Sequence, residues 1–214
     1  MLTLALNMAI AHPPGARVLA ALEAATAIHH ADAEADLFRV LDDATGPGYR
    51  QFLSSVFHFE YPVELQLTRV ETLPLRFVSP RLKTGRLGDD LLALGPPSVV
   101  DPIFAQPLAP PAFRDGFDAL AWMYVLQRNT LHHAQLYRAL APRLRTTLQI
   151  ASRYLTTHAG DVYKRWHELG AHLDRVATPA PLAQMVEVAH DAFRTQHAWY
   201  VRTAATDAGR RAGR

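Results

Sequence analysis

In the stretch Thr26-Ala27-Ile28-His29-His30-Ala31-Asp32-Ala33-Glu34, a histidine has a threonine four residues before it and a glutamate four residues after it. On an α-helix those offsets put Thr26, His30 and Glu34 on one face, a polar stripe whose flanks, Val18, Leu19, Leu22 and Leu37, are apolar. Glu34 can then accept a proton from the His30 ring. Such a contact fixes a histidine's tautomer and aims its other nitrogen at a metal or a proton. The same spacing equally suits a partly exposed helix face. His29 competes with His30, but neighbouring helical residues point about 100° apart, so only one of the two can ligate. The Thr26 and Glu34 offsets favour His30.

The elements that must position these side chains read as helices throughout. Ala11-His12-Pro13-Pro14-Gly15 separates an apolar leader from a first helix expected from about Arg17 to Asp43, and Gly46-Pro47-Gly48 punctuates. Tyr49, Phe52, Leu53, Val56, Phe57, Glu60, Val63, Glu64 and Leu67 then recur at helical spacing, with Pro62 expected to kink or break the helix. A shorter helix through Leu82, Leu87 and Leu91 should stop at Leu94-Gly95-Pro96-Pro97, where a left-handed cap residue precedes prolines that cannot continue it. After a loop holding Pro102, Pro107, Pro110 and Pro111, the longest periodic segment runs from Phe113 to about Leu140. Two more helices are expected, one over Leu144 to Val176 with an interruption near Gly160, the other from Pro181 through Val186, Ala189, Phe193 and Trp199. No strand alternation and no fixed-period repeat is present, so the expected class is all-α.

With 214 residues the chain most simply makes one domain, expected over residues 16–204, between a leader at 1–15 and a flexible basic tail at 205–214. It contains no cysteine, which excludes disulfides, thiolate metal sites and cysteine nucleophiles. The formal charge is only +2, and the Arg210-Arg211 pair of the tail supplies that many positive charges. No basic stripe is interleaved with aromatics, so nucleic acid is not an expected partner. The opening MLTLALNMAI lacks a basic lead-in and a cleavage site, and no run approaches the roughly 20 apolar residues of a spanning helix. A cytoplasmic protein without membrane contact is the expectation.

Thr26, His30, Ala33 and Glu34 are followed, in order, by Pro62-Val63-Glu64, by Leu87-Gly88-Asp89-Asp90-Leu91-Leu92-Ala93-Leu94-Gly95 and by Tyr124-Val125-Leu126. Tyr154-Leu155, Trp166 and Ala189/Phe193/Trp199 complete the series. In this order and spacing the chain resembles the haem oxygenase family, closest to the bacterial biliverdin-forming enzymes found beside bacteriophytochromes. The resemblance implies a multi-helical haem oxygenase-like bundle and a link to a bacteriophytochrome pathway. It also implies cleavage of haem to biliverdin, carbon monoxide and iron, with dioxygen and an external electron-donor protein. His30 would be the proximal haem ligand, with Glu34 holding its other nitrogen and Thr26 on the same helix. Lys164 and Arg165, before Trp166, become candidate partners of the haem propionates, because cations pair well with carboxylates. Glu23 stands where many members carry a cation for that purpose.

The departure lies on the other side of the expected haem. The family's distal helix passes over the iron on glycines, since only a residue without a β-carbon lets backbone come so close. Here Tyr124-Val125-Leu126-Gln127-Arg128-Asn129-Thr130-Leu131-His132-His133 puts Arg128, His132 and His133 at those places. Arg128 and His132 share a face. Either His132 serves as a second axial ligand, or the added bulk excludes haem, or the helix is turned so that the histidine pair lies on the surface or in the core. The rival to an oxygenase is therefore a non-catalytic descendant that binds haem, another tetrapyrrole or a protein partner. A minor alternative is a di-iron oxidase on the same fold, using Glu34, Glu60 and Glu64 with His190, Asp191 and His197. His58, His158, His167 and His172 are scattered and carry no assigned role.

Overall fold

Apolar residues at helical spacing fold here onto one central helix. The computed structural model describes residues 17–95 and 107–212, with side chains to residue 205. The expected leader, the Pro96-Pro97 pair, Pro102 and the side chains of the arginine tail lie outside that description. Among the described residues the chain is helical, with no strand. The elements are α1 (Arg17–Thr26), α2 (His30–Phe38), α3 (Gly46–Leu67), α4 (Leu75–Val78) and α5 (Thr84–Ala93). They continue with α6 (Gly116–Thr130), α7 (His133–Ile150), α8 (Val162–Val176) and α9 (Pro179–Ala212). Short 3₁₀ turns occupy Ala27–His29, Arg39–Leu41 and Ser79–Arg81.

The first expected helix is thus divided at residues 27–29 and again at 39–41. Pro62, expected to kink or break the second helix, lies inside an unbroken α3. Val56, Phe59 and Val63 are fully buried on either side of it, so packing along the whole face offsets the lost backbone bond. The Thr45 hydroxyl starts that helix by accepting from the Gly48 amide at 3.1 Å. Gly95 follows α5 with φ +91°, the left-handed residue expected there. At the other end of the chain, α9 remains helical through the segment expected as a tail, up to Ala212.

α6 is the hub. Every residue from Asp118 to Thr130 is buried, as befits a helix enclosed on all sides, and it packs on α9, α3, α8 and α2. α1 lies on α8 and α9, and α5 lies on α3. The expected continuous helix from Phe113 to Leu140 stops at Thr130, where Leu131 and His132 donate to the Arg128 and Asn129 carbonyls, each at 3.1 Å, in the tighter i→i+3 pattern. α7 then starts at His133 and bends at Leu144, two residues after Pro142.

Candidate functional site

His30 opens α2 directly after the 3₁₀ turn, and Thr26 closes α1 directly before it. The Thr26 hydroxyl lies 2.8 Å from the Leu22 carbonyl, 2.8 Å from the Tyr124 hydroxyl and 3.1 Å from His30 Nε2. Each short oxygen–oxygen contact needs a proton between its atoms. Leu22 O can only accept, so Thr26 donates to it and Tyr124 donates to Thr26. The remaining contact is completed by a proton on Nε2, which assigns the Nε2–H tautomer to His30 and leaves its lone pair on Nδ1. Burial first, then the neighbouring Arg128, His29 and His132, push the His30 pKa down to about 4, so the ring is neutral at pH 7.

Thr26 is therefore bonded to His30 as its spacing suggests, whereas Glu34, one turn on in α2, is not. His30 forms hydrogen bonds with Thr26 and Tyr124, and none with Glu34. The Glu34 carboxylate acts instead on Arg128. Arg128 draws that charge because it is 7 % exposed and its nearest ion-pair partner, Glu23, is 3.6 Å away. Its Nε and Nη1 are buried without a hydrogen-bond partner.

The three residues at the expected glycine positions separate. Arg128 and His132 stand on the His30 side, where both oppose a positive charge on that ring. His132 meets the edge of Phe38, its Nε2 is buried and unbonded, and burial with Arg128 lowers its pKa to about 4. His133 lies against the Tyr154 ring instead, with ring centroids 4.4 Å apart and the planes tilted by 51°. Neither of its nitrogens completes a hydrogen bond of normal geometry, although a Tyr154 backbone group lies close enough to favour the charged ring slightly. Burial and then Lys83 hold its pKa well below the ordinary histidine value.

Behind His133 lies a polar network that sequence reading did not anticipate. Lys83, completely buried, donates from Nζ to Glu60 Oε1 at 2.9 Å, to the Leu126 carbonyl at 3.0 Å and to the Thr130 hydroxyl at 3.1 Å. Tyr154 donates to the same Glu60 oxygen at 3.0 Å. Glu64 accepts from the Lys83 amide at 2.8 Å and from the Thr84 amide and hydroxyl at 3.0 and 2.6 Å. Burial, with Glu60 adding to it, raises the Glu64 pKa to about 7. The signal was the pair of glutamates four apart on an otherwise apolar helix, which demands a buried cation.

The carboxylates and histidines considered for iron are accordingly engaged elsewhere. Glu60 and Glu64 serve Lys83 and Thr84, His190 Nδ1 is 2.8 Å from His29 Nε2, His197 pairs with Asp36 at 2.9 Å, and Asp191 pairs with Arg194. Among the described residues no group of three or more such side chains is arranged to hold a metal ion. Lys164 is exposed on α8, and Arg165 pairs with Asp161 at 2.9 Å and the Pro80 carbonyl at 3.0 Å. Neither is among the groups that act on His30.

Iron ligation by His30 Nε2 would have to replace its contacts with Thr26 and Tyr124. Nε2, the ring nitrogen remote from the backbone, carries the proton given to Thr26, while the Nδ1 lone pair lies next to the helix that bears the ring. No protein-family model matches the chain, and a search of curated proteins found no match.

Proposed function

We propose that this chain is a haem oxygenase-like binding protein that takes a carboxylate-bearing tetrapyrrole without cleaving it. Arg128 carries the reading: a nearly buried cation with two unbonded nitrogens stands beside His30, at a position where the resembled family has glycine. Its ion pair with Glu23 is long, at 3.6 Å, and leaves N–H groups of the guanidinium for a ligand carboxylate, which such a fork can grip with two parallel bonds. If the chain follows the resembled family, this side chain would stand where glycine leaves room for dioxygen, and the neutral His30 is hydrogen-bonded to Thr26 and Tyr124. The tetrapyrrole is then held by its carboxylates rather than through iron, and binding requires no electron donor.

Titration of the purified protein with haemin and, separately, biliverdin tests this by absorption spectroscopy. Saturable spectra are expected with both, weakened at least tenfold in Arg128→Gln, and haemin stays intact when ascorbate is added under air. A low-spin Soret band abolished by either His30→Ala or His132→Ala would overturn carboxylate holding in favour of iron between two imidazoles. Decay of the haemin spectrum to that of a bilin would overturn the non-catalytic reading. No spectral change with either compound would overturn tetrapyrrole binding altogether.

A further inference from the structure

Between α4 with its following 3₁₀ turn and the outer face of α8 lies a groove of about 520 Å³. Four arginines line it, Arg76, Arg81, Arg165 and Arg175, against the carboxylate of Glu168. Asp161, paired with Arg165 at 2.9 Å, is the second carboxylate that answers these four guanidinium groups. The groove is separate from the His30 cluster. The inward face of α8 carries Trp166, packed 5.8 Å from the Tyr124 ring, and Trp166 therefore stands between the two regions.

The base of the groove is rigidly built. Arg81 is 4 % exposed, and its guanidinium sits 4.0 Å over the Phe77 ring. His172 stacks on the same ring at 4.1 Å. Arg81 Nη1 donates to the Phe77 carbonyl at 2.6 Å, Nη2 reaches Glu168 at 3.3 Å, and Nε is buried with no partner. Arg165 is pinned to the Pro80 carbonyl. The two rim arginines differ from these: Arg175 is exposed and reaches only the His172 ring, at 3.3 Å, and Arg76 is exposed with no ion pair among the described residues. Fixed positive charge at the base and available guanidinium forks at the rim are what an oxyanion ligand requires. Burial lowers the Arg81 pKa, with Glu168 acting against that and the nearby Arg165 adding to it.

We infer that this groove binds a small organic polyanion bearing at least two phosphate or carboxylate groups, gripped by Arg76 and Arg175 above the fixed guanidinium of Arg81. A volume of this size suits a small molecule, and the cations are gathered in one groove rather than drawn out in a stripe that would follow a nucleic-acid backbone. The inference stands apart from the tetrapyrrole reading, because it uses neither His30 nor Arg128.

Isothermal titration of the full chain with pyrophosphate and with citrate, each against sodium chloride of equal ionic strength, provides the test. Saturable binding of one or both is expected, and the stronger of the two identifies a phosphate or a carboxylate source. The Arg76→Gln/Arg175→Gln double variant, altered only at exposed side chains, should bind at least tenfold more weakly with an unchanged melting temperature in chloride. The corresponding double lysine variant, which keeps charge but loses the fork, should fall between the two. The inference is overturned if neither anion exceeds the chloride control, or if the double glutamine variant binds as tightly as the wild type.

Discussion

Lys83 is the side chain on which the interior polar network depends. It brings one positive charge to two buried glutamates, and all three of its Nζ protons are used. Replacing it with alanine leaves Glu60, 1 % exposed, without its counter-charge. The expected loss is about 3–5 kcal/mol, the usual consequence of removing one member of a buried pair. Urea unfolding of Lys83→Ala measures it, and a loss below about 1 kcal/mol would show that the interior network does not depend on this ion pair. The contrast between Thr26 and Glu34 belongs to the same scale. Both are four residues from His30, but Thr26 is joined to it through a hydroxyl shared with Tyr124, while Glu34 makes no hydrogen bond to it and its charge acts on Arg128. Spacing along one helix showed which residues were neighbours, and groups from α6 decided which neighbour was used.

Among the elements, α6 determines where everything else lies, and its start is chemically explicit. Asp115 Oδ1 accepts from the Phe117 and Asp118 amides at 2.8 and 3.2 Å, and also from Gln184 Nε2 of α9 at 3.0 Å. Asp115→Ala removes the cap and the tie between the two helices together. A loss of about 1–2 kcal/mol is expected from the cap, seen as a lower urea midpoint with an unchanged slope, since the surface exposed on unfolding is the same. An unaltered midpoint would mean that packing of α6 on α9 alone holds the helix start. The helix end at the left-handed Gly95 is legible in sequence, whereas the start of α6 at Asp115, two residues after the expected Phe113, was not read there. The break between Thr130 and His133 was not legible either, because no glycine or proline marks it, and it sets His132 against Phe38 and His133 against Tyr154. Pro62 misleads for the converse reason: its local cost is outweighed by burial along α3.

For the molecule as a whole, titration of buried groups predicts how stability follows pH. His30, His132 and His158 are each lowered from 6.5 to about 4 on folding. Between those values the unfolded chain binds more protons than the folded one, so stability rises with pH from about 4 to 6.5 and is lost as pH falls through the folded values. Glu64 works in the other direction. Its pKa rises from 4.5 to about 7, so the folded chain keeps a proton that the unfolded chain releases, and stability from this group falls as pH rises across that window. His29, His133 and His172 are lowered as well, while Asp36 and Asp90 are raised like Glu64, so the lowered histidines outnumber the raised carboxylates and predict a net rise in urea midpoint from pH 4.5 to 6.5. Glu64→Gln removes its opposing contribution and should steepen that rise, although the variant is less stable throughout because its amide cannot accept every bond that the carboxylate does. A flat profile in the wild type, or the same slope in both proteins, would refute the assignment.

Periodic apolar residues, the absence of alternating strands and the placing of glycine and proline were enough by themselves to determine an all-α chain, since these features act through local backbone geometry and burial of one helix face. They also singled out His30 with Thr26, and Arg128 with His132, as residues sharing a surface. Only the tertiary structure decided what those residues do. Lys83 reaches Glu60 from another segment, Tyr124 of α6 brings its hydroxyl to Thr26 beside His30, and arginines from separate segments, around α4 and on α8, assemble the cationic groove. Each of these is a contact between side chains remote in sequence, and its energy depends on burial and charge that exist only once the helices have packed.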